Sequence, residues 1–255
     1  MAVKEHQLFN ELWENVRVWV MPEIEERIKR EGYQVLFGPT KLVLEFSPKQ
    51  NYEYNSCYWC VRLLDAFDRL RYIRNMTRRS LYRKKSEEKS VLLQEWLIYN
   101  YEHYVIVYQG VLDIALLLTN ALFDMGNPPD KCSYSTICDN TRIAGTEVGA
   151  ILKKLIKTVR KHREGKNLLV HRGGRIELPI QVRMPSEVDL LYVSIKLGIE
   201  VKDELRDLLA EFLTIHTRKD LLAIMDKEFK QIESQVEKLF DELLPVYRGM
   251  RSFYS

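Results

Sequence analysis

Glycine and proline are scarce in this chain, 11 and 8 of 255 residues. Long loops must therefore be few, which argues against a turn-rich β architecture and for helices. Cysteine is scarce too, with Cys57, Cys60, Cys132 and Cys138 as the full set. A chain of this length buries a large core without disulfides or metals, so reduced structural thiols are expected. Net charge is nearly absent, +3 in all. General basicity is thereby excluded, and only local patches can attract a charged partner.

Two further features are missing. The stretch Met1 to Gln7 lacks the basic start and apolar run of a secretory signal. The most apolar stretch, Val105 to Phe123, is interrupted by Gln109, Asp113 and Asn120. It reads as a buried helix rather than a membrane span. A soluble, cytoplasmic protein without membrane contact is expected.

What is present is helical periodicity. Leu8, Leu12, Val16 and Trp19 share a face in residues 4–31, with a break at Pro22. Residues 33–47 change character and read as a short β-hairpin around Gly38-Pro39. A second helix covers 52–84, and Ser86 has the sequence context of a cap for a third, 88–124. The longest loop, 126–145, is rich in Pro, Asp, Ser and Thr. A fourth helix starts near Thr146, with Glu147 as an early acid, and Gly165 breaks it. A short helix opens at Ser186. In the last, 217–245, Leu222, Met225, Phe229, Ile232, Val236, Leu239 and Leu243 form one apolar seam.

Charge is unevenly spread. Acids crowd 200–242, and bases crowd 69–85 and 153–175. In the first basic run Arg74 and Arg78 share a helix face and tyrosines interleave, a composition suited to single-stranded RNA. A solvated helix face explains the same run. In the second, Arg160, Lys161, Arg163, Lys166, Arg172 and Arg175 surround His171, a grouping that would hold phosphate by charge.

The segment Lys166-Asn167-Leu168-Leu169-Val170-His171-Arg172-Gly173 resembles the motif of the HEPN domains, an arginine followed by four to six residues and a histidine. The resemblance implies a mainly α fold, an antiparallel helical bundle over 51–255. Residues 1–50 form an N-terminal helical extension with the short hairpin and have no clear counterpart in the minimal domain. It further implies metal-independent RNA cleavage by a homodimer in phage defence or stress, toxin-like, with a cognate inhibitor protein as partner. Neither metal nor cofactor is implied.

By that resemblance His171, Lys166 and Asn167 are the catalytic candidates; by their charge Arg163 and Arg172 beside them, and Arg74 and Arg78 of the first basic run, are the expected nucleic-acid contacts. The arginine position holds Lys166, which cannot offer a planar two-pronged grip on phosphate. Arg163 lies outside the motif's spacing. The departure leaves a second reading open, a catalytically silent module that binds RNA, nucleotide or a protein. A helical scaffold associating through its last helix is a third.

The third helix carries Glu102, Gln109, Asp113 and Asn120 within about 20° of one direction. This stripe can face a cleft or be a thin solvent edge. The resemblance implies an acidic or polar site member from an earlier helix, for which Glu102, and after it Asp113, is the candidate. Cys57-x-x-Cys60 lacks a glycine-rich knuckle, and the second pair is too widely spaced for a standard zinc site.

Overall fold

Apolar residues at three- and four-residue spacing wind most of the chain into helix. The computed structural model describes residues 5–31, 46–79, 88–174, 176, 179 and 202–254. Among them are seven α-helices, one 3-10 turn and no strand. They are α1 (Gln7–Glu31), α2 (Pro48–Arg78), α3 (Glu88–Leu122), the 3-10 turn (Pro129–Lys131), α4 (Tyr134–Cys138), α5 (Glu147–Arg160), α6 (Arg163–Arg172) and α7 (Asp203–Phe253). This is an all-α helical bundle. The expected hairpin lies almost wholly outside the described residues, as do the Ser86 cap and the helix opening at Ser186.

The chain forms two compact units. One comprises residues 1–67, 110–158 and 232–255, the other 68–109 and 159–231. In the first, Leu8 and Leu12 of α1, Leu63 of α2, Leu118 of α3, Leu155 of α5 and Leu239 of α7 are wholly buried. Each such side chain contributes about 1.5–3 kcal/mol by leaving water. The buried Glu53 accepts from Trp19 Nε1 at 3.2 Å and Arg251 Nε at 2.9 Å. Tyr52 Oη donates to the Leu122 carbonyl at 3.1 Å, satisfying one of the orphan acceptors at the end of α3.

In the second unit Leu70 and Ile73 of α2, Tyr104 and Tyr108 of α3, and Leu221, Met225 and Phe229 of α7 form the core. Tyr104 Oη donates to the Met225 carbonyl at 3.1 Å. Trp96–Leu122 is long and apolar enough to cross a membrane by length and composition. In this fold it carries buried core residues, Leu97, Tyr104, Tyr108, Val111 and Leu118 among them.

Several boundaries differ from expectation. α1 continues through Pro22 and α7 through Pro245. Each proline frees the carbonyl four residues earlier. Those carbonyls belong to Val18 and Asp241, both exposed residues, so water can satisfy them. Gly165 lies inside α6, and the chain breaks instead at 161–162. The reason is packing, since a Cβ on Gly165 would stand 2.9 Å from Ile176 Cδ1. Thr146 does cap α5, its Oγ1 accepting from Gly149 N at 3.3 Å. The α7 seam is buried from Met225 to Leu243, but its upper end is Leu221, with Leu222 only half-buried.

Candidate nucleic-acid interface

The Lys166–His171 segment forms most of α6. Gly173 closes that helix at φ 61°, a left-handed conformation natural to glycine. Gly174 N then donates to the Leu168 carbonyl at 3.1 Å. A Cβ on Gly174 would meet Leu168 Cδ1 at 2.5 Å, so the turn folds directly onto the helix.

No residue of α6 is fully buried. Gly165, Leu168 and Leu169 are half-buried, whereas Arg163, Asn167, Val170 and His171 are exposed. At about 100° per residue, Arg163, Asn167 and His171 fall within one arc of about 80°. Lys166 is half-buried and stands about 140° around the helix from His171. Helical winding thus aligns Arg163, rather than Lys166, with Asn167 and His171. Arg172 is exposed beside His171.

The turn that precedes α6 is built on a buried carboxylate. Glu228 of α7 accepts from Lys161 Nζ at 2.7 Å and faces His162 Nε2 at 3.0 Å. Burial would raise the Glu228 carboxyl, but the hydrogen bonds and positive charges of His162 and Lys161 outweigh it. The carboxyl is held below its ordinary range and is ionised at neutral pH, so His162 donates. Tyr101 and Tyr108 set their rings edge-on to His162, at 6.1 and 5.4 Å between centroids. His162 is the residue capping α6, and its carbonyl accepts from Lys166 N at 2.9 Å.

The polar stripe of α3 ties down backbone. Glu102 is half-buried and accepts from Ile176 N at 3.2 Å. Ile176 is also the neighbour of Gly165, so Glu102 stands near the start of α6. Buried Gln109 donates to the Val159 carbonyl, and Asn120 and Asn127 bond reciprocally at 3.0 and 2.9 Å. Asp113 lies exposed on the same helix.

Two arginines of the other basic run are engaged internally. Arg74 and Arg78 both hold Asp226, Arg74 through two nitrogens and Arg78 at 2.9 Å. Burial would raise the Asp226 carboxyl, and the two arginines outweigh it and hold it low. Arg74 also lies 4.4 Å over the Phe229 ring. Arg74 therefore starts from a bound state, whereas Arg163 and Arg172 lie exposed. The cysteines are free; burial pushes the Cys57 and Cys138 thiols up to about 11. No group of three metal-ligating side chains occurs among the described residues.

Residues 55–244 match the family described as HEPN_Cthe2314-like HEPN. The chain belongs to the HEPN family. The match takes in α6, Glu102, Arg74, Arg78 and Glu228, and covers about three quarters of the chain. No curated protein and no solved structure matches it.

Within the HEPN match, sequence reasoning passed over His162 and Glu228. A glutamate in the run Asp226-Lys227-Glu228 reads as solvent-facing. One signal was available: at about 100° per residue Glu228 lies only about 20° around α7 from Leu239, at the edge of the apolar seam.

Proposed function

We propose that this HEPN protein acts on single-stranded RNA as a metal-independent endoribonuclease, working as a homodimer in defence or stress. The observation that supports it most is the exposed row Arg163, Asn167 and His171 on α6. That row sets a cation, an amide and an imidazole on one solvent face. In the reaction a base removes the proton of an RNA 2′-hydroxyl, and its oxygen attacks the adjacent phosphorus. The bond from phosphorus to the 5′-oxygen breaks, and that oxygen takes a proton from an acid. The products are a 2′,3′-cyclic phosphate and a 5′-hydroxyl.

His171 is the group for base or acid, and two copies across a dimer axis would divide the roles. Arg163, Arg172 and Lys166 supply positive charge for the phosphate, and Asn167 a hydrogen bond. Glu102 is the acidic candidate, through its place near the start of α6. Arg74 and Arg78 extend the contact along the strand once they exchange Asp226 for phosphate. A cognate inhibitor protein covering α6 belongs to the same reading.

The second reading is a catalytically silent module that binds RNA or nucleotide. It is favoured by Lys166, which sits at the arginine position of the motif and off the exposed row. The two separate when mixed single-stranded RNAs are incubated with the protein in excess EDTA, beside His171→Ala and Lys166→Arg. Cleavage by the native protein but not by His171→Ala, leaving cyclic phosphate ends, is the expected result. Binding without cleavage supports the silent module, and the absence of binding overturns both.

A further inference from the structure

We infer that Glu228 is a positioning residue for the α6 site, acting through His162 and Lys161. This rests on the phosphate-directed reading of α6. Glu228 is 4% exposed and its carboxylate is shared by two consecutive residues of one turn. His162 is the residue at which α6 begins, and Arg163 is the next along the chain. The direction in which the row Arg163, Asn167 and His171 points is therefore set at the turn that Glu228 holds. Tyr101 and Tyr108 close the other sides of the His162 ring, so the ring has one polar anchor and two aromatic walls. Gln109 fixes the same turn from α3 by donating to the Val159 carbonyl, which also accepts from His162 N at 3.1 Å.

A buried carboxylate is a costly way to join two helices, because an apolar contact of similar size holds them at least as well. What the carboxylate adds is direction, since its two oxygens fix Lys161 and His162 separately. Lys161 gives its charge to this buried carboxylate, whereas Arg163 and Arg172 lie exposed on α6.

The test compares the full chain with Glu228→Gln, His162→Gln, the double variant and His171→Ala. Affinity for a fluorescent single-stranded RNA is read across a salt series, with hydrogen exchange of amides 163–172 and the folded fraction by circular dichroism. Glu228→Gln is expected to weaken binding about tenfold, the worth of one charge-assisted hydrogen bond. The salt dependence should flatten by about one in slope for each phosphate that the variant no longer holds. A mere loss of folded protein lowers the signal and leaves that slope unchanged. The double variant should lose no more than the worse single one, because the two residues act as a unit.

A folded Glu228→Gln protein with native affinity, native slope and native exchange in α6 overturns the inference, and so does an additive double variant. Impaired His171→Ala beside an unaffected Glu228→Gln overturns it alone. If the native chain binds no RNA, the reading of α6 falls, and this inference with it. Should Glu228→Gln fail to fold, His162→Gln keeps the Lys161 pair intact and is judged by the same measurements.

Discussion

Arg163 and His171 stand eight residues apart on α6, about 12 Å along its axis and about 80° apart around it, with Asn167 between them. All three are exposed, while Lys166 is half-buried and points elsewhere. The motif as written in sequence pairs Lys166 with His171. The helix pairs Arg163 with it.

This distinction has a measurable consequence. If Arg163 holds phosphate, Arg163→Ala should weaken single-stranded RNA binding and reduce the salt slope by about one. Lys166→Ala should change the slope less. Titrations from low to moderate salt compare the two, and a larger slope change for Lys166→Ala would return the phosphate contact to the motif position.

Glu228 makes a separate prediction about acid. Its carboxyl is held below the ordinary range in the folded protein, so its contribution to stability is complete above the unfolded value of about 4.3. That contribution disappears as pH falls through the lower folded value. Glu228→Gln should therefore melt below the native protein at pH 7, and the gap should narrow toward pH 3. Thermal melts at steps between those limits decide it, and a gap that stays constant would mean that charge contributes nothing.

Two glycines should respond to alanine with opposite signs. On Gly149 of α5 a Cβ would lie 2.7 Å from the Ile143 carbonyl oxygen, a backbone atom with little room to move. Gly149→Ala should cost about 1–3 kcal/mol. Around Gly110 of α3 nothing lies within 4 Å of the same atom. Gly110→Ala should gain about 0.5–1 kcal/mol from helix propensity. Urea unfolding measures both.

Much of the helical framework was legible because its signals are local. Met225, Phe229, Ile232, Val236, Leu239 and Leu243 repeat at helical spacing and are all buried. Thr146 precedes an acid and an apolar run, and it caps α5. The misreadings share one cause, that tertiary surroundings reverse a local signal. Gly165 looked like a break because its close fit against Ile176 and Val105 is invisible in sequence. Pro22 looked like a stop, although the carbonyl it frees belongs to exposed Val18. Glu228 looked solvated because its partners lie 66 and 67 positions away, at His162 and Lys161. The histidine and its basic neighbours were readable, but the alignment of Arg163 with His171 required knowing that the segment is helical.

Glu102, Gln109 and Asn120 give α3 another property. Each bonds a fixed point of backbone or loop, at Ile176, Val159 and Asn127. Replacing one of them disturbs one anchor. Deleting a single residue between Glu102 and Gln109 would turn Gln109 by about 100° relative to Glu102 and shorten their separation by about 1.5 Å. The two side chains could then no longer reach both targets at once. This stretch of α3 is therefore a ruler, which tolerates changes of residue better than changes of length.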